Sequence, residues 1–276
     1  MAVSQDSKTR VVILDGYNLL YRAKFSARWQ KQGPHTITYN FFRSLRKLIE
    51  DLDAEKAYFV LEGSPKARLE AAPDYKGTRE YEVDENYSNQ KREIINALIN
   101  DFPITVLKHP NYECDDIIAH VAYKDHSEDE VIIVSTDTDF HQVFSEHSNI
   151  QVYNPVKKSF VEPPDFDYVV WKALRGDSSD NIQGFKGVGD KTALKMTKDP
   201  ELLNEFLSKD PSRNDTFNHN IFMIKFHDIE DENLIQKSEN CFNIDRVLNQ
   251  FTNFGFNSII KEKPWKKFVD TFGVLK

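Results

Sequence analysis

Four segments of this 276-residue sequence carry carboxylates at short spacings. Asp15 stands in ILDGYN, where Gly16 lets the backbone turn sharply beside the acid. Glu113, Asp115 and Asp116 fall in ECDD, where an apolar helical pattern begins. Asp137 and Asp139 are two apart, which on an extended chain points both to one side. Asp177 and Asp180 in RGDSSDN are three apart, which on a helix puts both on one face. Singly, each has a structural explanation, since acids favour a helix N-terminus and Asp177 can serve as an N-cap. Gathered at one place, they cannot all stay ionised without cations. Oxygen ligands without His or Cys partners select Mg²⁺ or Mn²⁺, and none of the eight histidines lies at a zinc-like spacing to another. Two such ions roughly 4 Å apart can hydrolyse a phosphodiester, one activating water and one stabilising the leaving oxygen.

The elements that must position these acids are legible as short apolar, β-branched runs at 11–14, 57–61, 104–107, 131–134 and 150–153. Helical patterns at 40–52, 90–100 and 115–123 lie between them. Strands alternating with helices predict a parallel sheet flanked by helices, with ligands beyond the carboxyl ends of the strands. Asp15, Glu62 and the Asp137–Asp139 pair all follow such runs directly, so the sheet brings the acidic segments to one rim. The stretch from 63 to about 90 is polar, weakly periodic and reads as an extended, mobile excursion. After Pro163 and Pro164 the chain reads as helical, with a glycine-punctuated turn at 184–189.

The composition, 39% hydrophobic and 29% charged, is that of a globular chain, and no apolar run is long enough to span a bilayer. The first ten residues lack a secretory segment, and two cysteines make neither a metal motif nor a disulfide framework, so a cytoplasmic protein is expected. The net charge of −8 decides little about a nucleic-acid partner, because without the nine candidate ligands 35 acidic residues face 36 basic ones. The basic residues cluster as Arg22, Lys24, Arg28 and Lys31; as Lys66, Arg68, Lys76 and Arg79; and as Lys186, Lys191, Lys195 and Lys198. Each cluster can equally be a solvated helix face.

In order, LDGYNLLYR, PDYKGTRE, YECDDIIA, VSTDTDF and RGDSSDNIQGFKGVGDKTA resemble the motifs of the 5′-nuclease (flap endonuclease) superfamily, from about residue 10 to 196. The free-standing form is most similar to the bacteriophage 5′→3′ exonucleases and phage RNase H proteins. The resemblance implies a PIN-like α/β core over 1–163 with a helical arch at about 63–100. It further implies a helical lobe over 164–276 with a helix-hairpin-helix-type element at 182–198. It assigns Asp15, Glu113, Asp115 and Asp116 to a first metal site. Asp137, Asp139, Asp177 and Asp180 fall at or near a second. Where the family usually has Asp after the second strand this chain has Glu62, one methylene longer.

For the substrate, the resemblance implies DNA or an RNA–DNA duplex with a single-stranded 5′ end or flap, cut by a monomer working with replication proteins. Lys76 and Arg79 would clamp the scissile phosphate and Tyr75 would stack on a base. Arg22 would add a phosphate contact. Gly187, Gly189, Lys191 and Lys195 would hold the duplex backbone at a helix N-terminus, with a K⁺ ion in the hairpin. Lys261, Lys263, Lys266 and Lys267 would extend that contact, whereas the aromatic-rich 251–256 segment reads as core packing. Two other readings stay open: a PIN-type endoribonuclease, and a non-catalytic junction-binding protein. A phosphatase with a second Asp two residues after the first is excluded by Tyr17.

Overall fold

The computed structural model describes residues 8–27, 33–79, 84–145 and 147–276. Of the basic residues named above, Arg28 and Lys31 lie outside the described residues, as do residues 80–83 of the expected arch. Five parallel strands form where the apolar runs predict them: β1 (Arg10–Asp15), β2 (Lys56–Leu61), β3 (Thr105–Lys108), β4 (Glu130–Val134) and β5 (Ile150–Asn154). Short strands β6 (Ser159–Phe160) and β9 (Gln236–Lys237) cap the edges antiparallel, giving the order β6-β5-β4-β1-β2-β3-β9. A separate two-stranded ribbon joins β7 (Gly176–Asp177) to β8 (Ile182–Gln183). The chain walks from β1 to β3 in one direction and from β4 to β6 in the other. The strand order therefore reverses beside β1, where a doubly wound sheet opens a crevice.

The pleat divides the buried side chains between two cores. Val12 and Leu14 of β1 and Phe59 of β2 face helices α1 (Gly16–Ala27), α2 (Thr36–Asp51) and α4 (Glu85–Asp101). Val11, Ile13, Tyr58 and Val60 face α5 (Cys114–His120) on the other side. Asp15 pairs in register with Val60, so Asp15 and, two residues beyond Val60, Glu62 lie on the α5 face. Gly16 serves a close approach and not a special turn: a Cβ there would stand 2.3 Å from the Val60 carbonyl oxygen.

The expected boundary at residue 163 is corrected. A lobe does form from α6 (Tyr168–Arg175), α7 (Asp190–Lys198), α8 (Pro200–Ser208) and α9 (Pro211–Ile224). The chain then returns to the sheet through β9. Helices α10 (Ile244–Asn253), α11 (Asn257–Ile260) and α12 (Glu262–Gly273) bury Val247, Phe251, Ile259, Phe268 and Phe272 in the main core. Phe251 is packed against Phe42, Phe256 and Phe268, as its aromatic segment predicts. The physical reason is area: α2 and α4 leave an aromatic surface that only a further helical layer removes from water. The arch is also shorter than 63–100. Tyr87, Ile94, Ala97 and Leu98 of α4 are buried in the main core, whereas among the described residues of this stretch α3 (Lys66–Ala71) and the turns after it pack outside that core. Among the described residues no helix is long and apolar enough to cross a membrane.

Candidate active site

Asp15 ends β1, and its carboxylate accepts hydrogen bonds from Ser135 Oγ at 2.7 Å and the Asn18 amide at 3.1 Å. Burial pushes its pKa up, with those bonds opposing the shift. Glu62 follows β2 and accepts from the Cys114 amide at 3.4 Å. Burial, then the charge of Glu113, moves its pKa to about 7. Asp115 is raised well above the carboxylate range by burial and by Asp137, and Asp137 is raised to about 6 by burial and Asp139. Two joined cavities of about 400 and 900 Å³ meet at these acids. The smaller is lined by Glu113, Asp115, Asp137, Asp139, Asp177 and Asp180, and the larger by Asp15, Glu62, Glu113, Asp115 and Asp137. Eight of the nine acids named from the sequence are therefore brought to one crevice.

Asp116 is not, which corrects its place as a ligand facing the ions. It is fully buried, and both its oxygens are taken by Arg68 at 2.8 and 2.9 Å and by the amides of Glu113 and His227. Adjacent helical residues point about 100° apart, so Asp115 and Asp116 cannot face the same cavity. Tyr75 is likewise corrected. Its side chain is buried in a cluster with Ala173, Ile182, Met223 and Ile224, so little of it is open to a base. Its hydroxyl instead donates to Glu113 at 3.1 Å and Asp180 at 3.2 Å. Burial and those two charges push its pKa up, so it stays a donor.

Cations from the arch segment and from α6 reach the same cluster of acids. Lys76 bonds Glu113 and lies 3.8 Å from Asp180, and the exposed Arg79 pairs with Asp180. Lys172, not singled out from the sequence, is buried on α6 between Asp139 and Asp177, the latter at 2.6 Å. Burial works against its charge, but Asp139 and Asp177 hold its pKa above the usual lysine range. Burial alone would raise Asp177; bonds from Lys172 and Ser179 bring it down to about 2. A helical step of four from Tyr168, whose hydroxyl also donates to Asp139 at 3.0 Å, was the available signal for Lys172. Tyr21 and Phe25, stacked on α1 at 6.3 Å and exposed at the larger cavity, were missed too, though their i, i+4 spacing across the end of the first motif was visible. Arg22 is half-buried in the same cavity.

One carboxylate oxygen each of Asp139, Asp177 and Asp180 lies within 4.8 Å of the other two, the only such convergence of three among the described residues. Eight carboxylates, ion-paired among the described residues with Arg68, Lys76, Arg79 and Lys172 and several with raised pKa values, form a donor set that suits hard divalent cations. Lys191 and Lys195 are exposed on α7, whose N-terminus follows Gly187 and Gly189; Gly187 has φ +82°, and both glycines open onto free space. Lys191 and Lys195 thus stand clear of the acidic crevice lining, on the outer face of the lobe.

A parallel sheet with an acidic carboxyl rim, an arch segment over it and a helical lobe beside it is the PIN-like α/β class. Residues 10–169 match the family of the 5′-3′ exonuclease, N-terminal resolvase-like domain, and the chain belongs to that family. It is 34% identical over 208 residues to the thermostable DNA polymerase I of Thermus thermophilus, covering 70% of this chain and 24% of that protein. The chain thus spans about a quarter of the length of the polymerase relatives it matches. A 5′-3′ exonuclease of Mycoplasmopsis pulmonis is 26% identical over 249 residues, covering 87% of this chain and 76% of the relative. Among solved structures, T5 5′-exonuclease with bound zinc has the same fold, with a TM-score of 0.64 at 21% identity over 78% of this chain and 89% of that one. The catalytic core of Rad2 in complex with DNA has a TM-score of 0.58 at 15% identity, over 96% of this chain and 93% of that one.

Proposed function

We propose that this protein hydrolyses phosphodiesters next to a 5′ end in DNA or RNA–DNA duplexes, as in primer or flap removal. The observation that carries the reading is the crevice itself: eight carboxylates under Lys76 and Arg79 of the arch segment. Asp15, Glu62, Glu113 and Asp115 would hold one divalent cation, and Asp139, Asp177 and Asp180 a second, with Asp137 between. When bound, such ions supply Lewis-acid activation of water and neutralise charge on the phosphate. Lys76 and Arg79 then place positive charge where negative charge develops. Ser135 and Asn18 fix the Asp15 carboxylate, and Tyr75 fixes Glu113 against Asp180. The α7 N-terminus with Lys191 and Lys195 would carry the duplex backbone by shape, not sequence, and a K⁺ ion in the 184–189 turn belongs to the same reading.

The test is cleavage of 5′-labelled flap, nicked and RNA-primed duplexes, each with Mg²⁺ and with chelator. Mg²⁺-dependent release of short 5′ products supports the proposal; cutting of hairpin RNA alone would transfer it to the endoribonuclease reading.

The raised carboxylates make cation binding pH-dependent. Below about pH 7 Glu62 holds a proton, and below about pH 6 so does Asp137, and a cation must displace each. Apparent Mn²⁺ affinity is therefore expected to fall as pH drops from 8 to 6, by up to about tenfold per unit for each proton displaced. Calorimetry in two buffers of different ionisation enthalpy measures the released protons; an affinity flat over that range contradicts the assignment. For the metal-free fold the sign is opposite. Groups raised on folding stabilise it below their unfolded pKa, and that contribution is lost as pH rises through about 7.

Lys172 stands in for cationic charge between Asp139 and Asp177. Lys172→Met strands two partly buried carboxylates, and removing one partner of such a pair costs about 3–5 kcal/mol. The melting temperature should fall in chelator and recover largely with Mn²⁺. An equal loss in both conditions would assign Lys172 a packing role alone.

A further inference from the structure

Arg68 reads in the sequence as one member of a basic cluster, but it is 4% exposed on α3, the helix of the arch segment. Its guanidinium has five N–H donors, and the fold supplies a partner for each. Nε donates to the Met223 carbonyl at 3.0 Å; Nη1 to Glu113 and Asp116, both at 2.8 Å; and Nη2 to Asp116 at 2.9 Å and the Lys225 carbonyl at 2.9 Å. Burial opposes its charge, yet Asp116 and Glu113 hold it firmly protonated.

These bonds join three parts of the molecule. Arg68 belongs to α3, Glu113 and Asp116 to the first turn of α5, and Met223 and Lys225 to the end of α9 and the segment after it. Asp116 in turn accepts from the Glu113 amide at 3.2 Å, so the fork grips the turn that presents Glu113 and Asp115 to the crevice. We propose that Arg68 is the positioning residue of the first cation site: seating α3 and setting the angle of Glu113 and Asp115 are one event. Arg68 acts through Asp116 and Glu113. A planar fork suits this role because it fixes direction as well as charge, which an ammonium does not. The inference rests on the reading that Glu113 and Asp115 hold a divalent cation.

Mn²⁺ titration calorimetry tests it in the full chain, with circular dichroism and melting curves to verify folding. Arg68→Lys keeps the charge and loses the fork; Mn²⁺ affinity is expected to weaken by about 10- to 100-fold, the usual effect of losing a residue that orients a ligand. The double variant Arg68→Met with Asp116→Asn removes both charges of the fork, leaves Glu113 its ion pair with Lys76, and stays informative if the single variant folds poorly. A purely structural role predicts that this neutral pair recovers Mn²⁺ affinity together with stability. The positioning role predicts that stability returns and affinity does not. Folded variants that bind Mn²⁺ as the unaltered protein does overturn the inference alone. An unaltered protein that takes up no Mn²⁺ overturns the cation reading and this inference with it.

Discussion

Asp139→Asn is expected to lower the single-turnover cleavage rate of a 5′-flap duplex by about 10³-fold or more, with affinity for that duplex within about threefold. Asp139 converges with Asp177 and Asp180 within 4.8 Å, so losing its charge removes one of the three converging carboxylates from the proposed second cation site. Several kcal/mol of charge stabilisation on a phosphoryl oxygen corresponds to a rate effect of this order, at about 1.4 kcal/mol per tenfold. The fold should survive. An asparagine oxygen still accepts from Tyr168 and Lys172, and Lys172 keeps Asp177 as its ionic partner. Affinity should survive because the proposed duplex contacts lie on α7, at Lys191 and Lys195, and removing a negative charge does not repel a phosphate chain. Single-turnover kinetics beside fluorescence anisotropy in Ca²⁺ separate the two quantities. Near-normal turnover would remove Asp139 from the catalytic set.

For Lys76→Ala the expectation is a rate loss of about 10²- to 10³-fold, the magnitude seen when one preorganised donor to a developing charge is removed. Lys76 has φ +56°, and its amide donates to the Asp180 carbonyl at 3.1 Å, so the backbone aims this side chain at the crevice. Lys and Ala bear the same left-handed backbone cost, so the substitution isolates the ammonium. In the structure that ammonium is held by Glu113 and near Asp180. A cation on Glu113 would compete for the same carboxylate and free Lys76 for phosphate. The rate at saturating substrate should therefore fall while KM changes little. An unchanged single-turnover rate would refute the clamp role, and a loss confined to KM would reduce Lys76 to a binding contact.

These two substitutions fall at residues that the sequence alone makes visible. The five parallel strands and the acids at their ends are local properties: a run of β-branched residues followed by Asp or Glu places the acid at a rim whatever else the chain does. The spacings of Asp137 to Asp139 and of Asp177 to Asp180 marked residues that do line the crevice, but for the wrong local reason. Asp177 ends β7 and Asp180 lies in the turn before β8, not on a helix, and Asp139 lies in a tight helical turn that starts at Thr138, not on an extended chain. The five ordered motifs carried the family. Glu62 is legible as the acid that ends the 57–61 run, but the register that pairs Asp15 with Val60, and so puts Glu62 on the face of Asp15, came only from the fold.

What the tertiary structure alone decided concerns pairs far apart in the chain. Arg68 meets Asp116 and Met223 across 48 and 155 residues, and Lys172 meets Asp139 across 33. Spacing tells which residues share a face of one helix, but not which other element covers that face. For this reason Arg68 looked like a surface charge, Tyr75 like a stacking ring and Asp116 like a ligand. The return of α10–α12 to the main core was hidden for the same cause, since their aromatic residues could as well have packed within a separate lobe. Composition determined that apolar area had to be buried, and only the fold determined against what.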